Sequence, residues 1–269
     1  MRRLFLNTAL AAALCLSASG AAACDISIGD TGFNIGMATN KATETWTRSY
    51  AVSAGGTFEV ENTNGLVEVL QGTGPKVEVS AEKIAKASSD EAAKDLLTKI
   101  EIVETVKPES VRLVTKTPKS FGSGGAEVKY TIKVPAGLRV RAGTTNGGIK
   151  LTGISNDVEA STTNGGVNGE DLSGTVDAST TNGGVHLALS KLGAGGLKAE
   201  TTNGGVSVVL PTDTKATISA HVTNGGLGVE NLNVVTTEQN RRHLEGTLNG
   251  GGPSIELGTT NGGISLKGK

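Results

Sequence analysis

A Thr-Asn-Gly tripeptide recurs along this chain, with its asparagine at Asn64, Asn146, Asn164, Asn182, Asn203, Asn224 and Asn261. A variant stands at Leu248-Asn249-Gly250. From Asn146 to Asn224 the intervals are 18, 18, 21 and 21 residues, which marks a structural repeat and not low complexity. Aligned on the asparagine, the repeats show the two-residue alternation of a strand with one dry face and one wet face. Six places before it stand Val140, Val158, Val176, Leu197 and Ile218; four before it, Ala142, Ala160, Ala178, Ala199 and Ala220; three after it, Ile149, Val167, Val185, Val206 and Leu227. These columns are the expected core. Five places before it stand Arg141, Glu159, Asp177, Lys198 and Ser219, an exposed charge ladder whose members contribute little stability pair by pair.

Two architectures use an Asn-Gly corner. Asn followed by Gly supplies the positive φ angles of a tight hairpin turn, so the repeats could be antiparallel hairpins. Alternatively each repeat is one coil of a β-solenoid, in which equivalent asparagines stack and bond amide to amide along the axis. Identical columns on both sides of one asparagine per 18 to 21 residues favour the stacked array. The expected fold is therefore all-β, a right-handed parallel β-helix or β-solenoid, since parallel crossovers are nearly always right-handed. About six coils at ~4.8 Å per rung give a rod roughly 30 Å long.

The stretch before residue 131 is less regular. Phe58-Glu59-Val60 through Thr63-Asn64-Gly65-Leu66-Val67 matches the repeat register and predicts one more coil. Ser88-Ser89-Asp90-Glu91 reads as a capping box opening a short helix over about 88–99, with Leu96, Leu97 and Ile100 on its apolar side. The helix is expected to cover the side or N-terminal edge of the stack, because an open sheet edge invites pairing with other chains. At the far end Lys267 and Lys269 are expected to guard the last strand. The chain thus divides into a signal segment (1–23), a tether (24–47), an N-terminal β region with the inserted helix (48–137) and the repeat solenoid (138–269).

The signal segment has Arg2 and Arg3, an apolar run from Leu4 to about Leu16, and Ala21-Ala22-Ala23 before Cys24, the three parts of an export signal. The run is short for a permanent span. Cys15 would leave with the signal, so no intramolecular disulfide remains. Gly20-Ala21-Ala22-Ala23-Cys24 resembles a bacterial lipoprotein signal, with Ala21 where such signals usually carry Leu; in that reading Cys24 bears the lipid and tethers the protein to a membrane. The charge balance, 25 Lys and Arg against 26 Asp and Glu, turns slightly more acidic once Arg2 and Arg3 are removed, which disfavours nucleic acid as a partner. Phe33, Trp46, Tyr50, Phe58, Phe121 and Tyr130 are the aromatics beyond the signal segment, and all precede residue 131, so the repeats must have an aliphatic core.

The segment Asn62-Thr63-Asn64-Gly65-Leu66-Val67-Glu68-Val69, the run from Val128 to Leu138 and the Thr-Asn-Gly-Gly repeats together resemble the bacterial putative-adhesin family, domain of unknown function 4097, over roughly residues 50 to 269. The resemblance implies a cell-envelope protein with β-helical repeats. It supplies no catalytic residues.

Because some solenoids cleave polysaccharides, clustered acids need testing. Glu159 and Asp177 would lie one rung apart, near the ~5 Å carboxylate separation of a retaining glycosidase. Arg141 and Lys198 flank them, and no aromatic sugar platform exists in the repeats. His186 and His221 fall on opposite sides of their corners, so with His243 they form no evident metal-ligand set. No phosphate loop, calcium-binding glycine repeat or nucleophile elbow occurs. No cofactor, metal or catalytic residue is expected. A strip of small hydroxyls (Thr145, Ser161, Thr163, Ser179, Thr181, Thr202, Thr223) resembles an ice-binding array, but Glu200 and His221 interrupt it. The expectation is a non-enzymatic protein of the periplasm or cell envelope presenting a rigid surface to an envelope protein or glycan. An envelope stress or assembly scaffold is the alternative, and a polysaccharide-active enzyme ranks below both.

Overall fold

The computed structural model describes residues 25–29, 32–36, 40–118 and 124–269, in two compact units divided between Thr39 and Asn40. In the first unit β1 (Asp25–Gly29) and β2 (Gly32–Gly36) form an antiparallel hairpin. The segment 1–23 and Cys24 lie outside the described residues. Everything below concerns the second unit.

Its N-terminal part holds β3 (Asn40–Tyr50), β4 (Thr57–Asn64), β5 (Val67–Gln71), β6 (Val77–Ala87), helix α1 (Asp90–Thr98), β7 (Glu101–Lys107), β8 (Ser110–Lys116) and β9 (Gly125–Val134). The expected tether is corrected here. Residues 40–47 belong to β3, which pairs antiparallel with β6 from Asn40↔Ala87 to Tyr50↔Val77. The strand escapes notice in the sequence because one face is exposed throughout and the covered face mixes Asn40, Glu44 and Arg48 with Ala42, Trp46 and Tyr50, leaving no clean apolar alternation. Helix α1 starts two residues later and ends one residue earlier than expected, and it packs on β3 and β6. Its N-cap is Ser89, whose Oγ accepts from the Ala92 amide at 3.1 Å, so Glu91 does not occupy the position that closes a capping box. Ala93, Leu96 and Ile100 are buried.

The repeats begin with β10 (Arg139–Asn146), β11 (Ile149–Thr152), β12 (Val158–Asn164), β13 (Val167–Asn182), β14 (Val185–Asn203) and β15 (Val206–Leu210). They continue with β16 (Ala216–Asn224), β17 (Leu227–Glu230), β18 (Val234–Gln239), β19 (His243–Leu248), β20 (Ser254–Asn261) and β21 (Ile264–Gly268). Each coil has a first arm ending at the corner asparagine and a second arm starting three residues later. The long strands β13 and β14 carry a second arm and the following first arm in one run, with register shifts along their pairing. Like stacks on like: Val140↔Val158↔Val176↔Leu197 and Ala142↔Ala160↔Ala178↔Ala199 are register partners and are buried. The coil of β4 and β5 joins the same stack through Asn64↔Asn146 and Val67↔Ile149.

The stacking order is not the chain order. β20 pairs in parallel with β14 on one side and β16 on the other, and β21 lies likewise between β15 and β17. The last coil is therefore wedged between two earlier ones. It puts Leu257 between Ala199 and Ala220, which breaks the all-alanine column, and Glu256 between Lys198 and Ser219. The expected guards at the far end are corrected as well: Lys267 is on an interior strand, 3.3 Å from Glu230. The chain reaches the wedge by a loop at Asn249, whose φ is 48°. There the asparagine leaves the corner series and its Nδ2 donates to the Thr212 and Thr214 carbonyls at 3.0 and 2.8 Å.

The fold is all-β and solenoid-like with one helix among the described residues, and its sheet is mixed. Pairing is parallel through the coils and antiparallel at both ends, where β7 pairs with β8, β6 with β3 and β9, and β19 with β16 and β18. The purely parallel helix expected from the repeats stops where the repeats stop.

Candidate functional site

The corner asparagines form one continuous ladder. Asn146 Nδ2 donates to Asn64 Oδ1 at 2.8 Å, Asn164 to Asn146 at 2.8 Å, Asn182 to Asn164 at 2.9 Å and Asn203 to Asn182 at 2.9 Å. It then runs through the wedged coil, with Asn261 donating to Asn203 at 2.8 Å and Asn224 to Asn261 at 2.9 Å. An amide supplies both a donor and an acceptor, so each asparagine can accept from one neighbour and donate to the next, and the row propagates. The following glycine is set by a close approach: a Cβ on Gly165 would collide with the Gly147 carbonyl oxygen. The second glycine is freer, and its place is held by Leu66 in the first coil, while a Cβ on Gly226 meets nothing within 4 Å.

Two places before the asparagine is a column the alternation alone did not single out. Thr162, Thr180, Thr201 and Thr259 are buried, and each hydroxyl donates to the glycine carbonyl of the neighbouring coil at 2.8 to 2.9 Å. The signal was present, because an alternating strand has no other reason to put threonine on its dry face five times, with Thr144 in the same buried column. These residues are structural. The threonines one place before the asparagine, including Thr202, Thr223 and Thr260, are exposed.

On the outward face, Arg141 reaches Glu159 at 3.0 Å and Lys198 reaches Glu200 at 3.1 Å. Glu159 and Asp177 are register partners, as a two-carboxylate reading needs. Burial pushes the Asp177 carboxyl above its ordinary range, while Lys198 pulls it back. Arg141 is ion-paired to Glu159, while Lys198, the register neighbour of Asp177, gives its ion pair to Glu200. His186 stands on the second arm of its coil, opposite Asn168 and Ser207.

The outward row three places before the asparagine contains the site. Glu200 on β14, Gly258 on β20 and His221 on β16 are successive register partners. A glycine between two longer side chains leaves a trough, and a groove of about 360 Å³ lies there. Glu200 and His221 form its walls, while Ser179, Thr202, Thr223 and Thr260 bring hydroxyls to its rim. A Cβ on Gly258 would stand 3.4 Å from Glu200 Cγ, so even alanine would begin to fill the space. The row presents carboxylate, imidazole and several hydroxyls to solvent. That donor set suits a polar, polyhydroxylated ligand. The groove was not legible in the sequence, because Gly258 enters the row only when β20 is wedged in.

Such a molecule, a coiled stack carrying a polar groove on its outward face, is a solenoid-like β protein. The chain belongs to the Toastrack DUF4097 family, whose model matches residues 50–267. No curated protein matches the chain. Among solved structures, it is similar to a "putative cell adhesion protein" from Clostridium sporogenes, at 16% identity and TM-score 0.42, covering 84% of this chain and all 100% of that one. A "putative adhesin" from Bacteroides fragilis is 13% identical at TM-score 0.28, covering 84% and 97%. A "putative lipid binding protein" from Parabacteroides distasonis is 11% identical at TM-score 0.26, covering 86% and 97%. These likenesses bear on neither ligand nor partner. Among the described residues no helix is long and apolar enough to cross a membrane.

Proposed function

We propose that this chain is a non-enzymatic module of the cell envelope, exported by the segment 1–23 and tethered to a membrane through a lipid on Cys24, which uses its outward face for attachment. The ligand is a glycan held in the groove between Glu200 and His221. The observation that carries this reading is the trough over Gly258, walled by a carboxylate and an imidazole and rimmed by threonine hydroxyls. The repeats give it a stiff base, wound as a right-handed coil by the general preference of parallel crossovers. The ion pair of Glu159 with Arg141 and the positive charge of Lys198 next to Asp177 favour a binding role over hydrolysis.

The test is binding of the exported chain to a glycan array, compared with Gly258→Arg, which fills the trough, and Glu200→Gln, which removes a wall charge. Retention lost at least tenfold in both variants supports the reading; equal retention by all three proteins overturns it. Metabolic labelling with a fatty acid, abolished by Cys24→Ala, tests the anchor.

A protein partner is the second reading. It is favoured by Val106 and Val235, which are 54% and 65% exposed on β7 and β18, strands that each pair on one side only among the described residues. In that case the stack acts as a spacer in an envelope scaffold, and Val235→Lys weakens partner capture while Gly258→Arg does not.

A further inference from the structure

Two of the three histidines of the chain meet at the C-terminal end of the stack, and beyond His221, which walls the groove, the groove accounts for neither His243 nor the two carboxylates beside it. His221 and His243 are register partners on the antiparallel pair β16 and β19, with ring centroids 6.2 Å apart. His243 Nε2 lies 3.3 Å from Glu245 Oε1, two residues along the same strand and on the same face. Across the next antiparallel pair, Glu238 on β18 is the register partner of Glu245. Ligand atoms of Glu238, His243 and Glu245 all lie within 4.8 Å of one another.

The opposition of two glutamates is what points to a cation. Like charges directly across an antiparallel pair are destabilising. Among the described residues, no lysine or arginine is in ion-pair reach of either carboxylate, although Arg241 and Arg242 stand in the adjoining turn. The pairing is created by a register shift. Thr236 lies opposite Gly246, so an unbroken register would put Thr237 opposite Glu245; the irregularity between Thr236 and Glu238 puts the second acid there instead. Extra residues in a strand re-aim side chains in this way at functional positions. The turn that brings the strands together is pinned by its own bonds, Asn240 N to the His243 carbonyl at 2.9 Å and Arg242 N to Asn240 Oδ1 at 2.8 Å.

We propose that Glu238, His243 and Glu245 bind a divalent first-row transition cation of the zinc class, with His221 as a fourth ligand reached by ring rotation. Imidazole nitrogen with carboxylate oxygen suits such ions, whereas calcium takes six to eight oxygens and magnesium retains its waters. Metal–ligand distances of about 2.0–2.2 Å require the three ligand atoms to draw in from their present separations, which side-chain rotation on a fixed hairpin supplies. One cation would join β16, β19 and β18, the three outermost first-arm strands at this end. The proposal stands on residues other than the groove's glycine and carboxylate, so the glycan test neither supports nor removes it.

The experiment is calorimetric titration of the exported chain with Zn²⁺ alone, repeated with Ca²⁺. The expected result is one Zn²⁺ per chain with micromolar or tighter affinity and no comparable Ca²⁺ binding. His243→Ala and the double variant Glu238→Gln, Glu245→Gln each weaken binding at least tenfold, while His186→Ala leaves it unchanged. Saturating Zn²⁺ raises the Tm of the unaltered chain and not of His243→Ala, which also shows by its own cooperative melt that the variant is folded. Absence of binding, or equal binding by the unaltered chain and the folded variants, overturns the proposal. His221→Ala reports the ligand count: a further loss of affinity supports its place as the fourth ligand, and an unchanged affinity removes it from the set.

Discussion

The middle of the stack and its two ends are built by different rules. In the middle, parallel in-register pairing places each residue beside its own equivalent, so one favourable choice is repeated at every rung: asparagine on asparagine, threonine hydroxyl on glycine carbonyl, alanine on alanine. At the ends, antiparallel pairing sets unlike positions opposite one another, as with His221 and His243 or Trp46 and Ala81. Repetition therefore makes the middle rigid and chemically uniform, while the ends and the wedged coil carry the varied side chains from which a specific site can be made. Both candidate sites lie there.

The comparison breaks most decisively at the wedge. Removing residues 254–269 takes out an interior rung and not a terminal cap, because β16 and β17 have their parallel neighbours only in β20 and β21. Hydrogen exchange should show loss of protection throughout 216–248, with the coils up to Asn182 still protected; a truncated chain that keeps residues 216–224 protected would contradict the stacking order. Next in size is the corner glycine. Gly165→Ala drives a methyl into the Gly147 carbonyl and is expected to cost about 3 kcal/mol or more in urea unfolding, against less than about 0.5 kcal/mol for Gly226→Ala at the open end.

The ladder gives a smaller, graded effect. Asn182 makes two rung-to-rung bonds and Asn224 makes one, so Asn182→Ala should cost about 2 kcal/mol and Asn224→Ala about half of that, at ~1 kcal/mol per net hydrogen bond. No loss at Asn224 would mean that the ladder does not extend through Asn261. The smallest effect belongs to the N-terminal region. Burial pushes the Tyr130 phenol up from 10.0 to about 12, opposed in part by its 2.7 Å bond to Thr115. A raised folded-state value means stability that is complete below pH 10 and is lost as pH rises from there toward 12. Denaturation midpoints across that window should fall in the unaltered chain and fall less in Tyr130→Phe.

How much of this the sequence made legible follows the same division. The apolar columns and the corner asparagines were readable because parallel stacking needs no knowledge beyond the repeat itself. The helix was readable from Ser88-Ser89-Asp90-Glu91 and the apolar side of Leu96, Leu97 and Ile100, though the cap falls at Ser89, one residue later than the Ser88 a capping box with Glu91 would need. The wedge was not readable: 37 residues separate Asn224 from Asn261, and nothing local says on which side of an existing rung the returning coil will settle. Asn249 looked like a corner because Asn-Gly is the same dipeptide in a loop as in a ladder. β3 was hidden by its exposure, and the groove by its dependence on Gly258 arriving between Glu200 and His221. The meeting of Glu238 with Glu245 depends on a three-residue turn and one irregularity in register, and that of His221 with His243 on a strand that returns antiparallel, none of which has a period to find.

The wedge also fixes an order of events during biogenesis. Coils from Asn64 to Asn203 can close one upon another in chain order, but β16 has no parallel neighbour until residues 254–269 enter beside it. A chain that folds from its amino side must hold the coil of β16 and β17 open until those residues arrive. Folding of that coil is thereby coupled to insertion of β20 and β21, and a chain arrested before them is left with an unfinished, pairing-competent edge at Asn203.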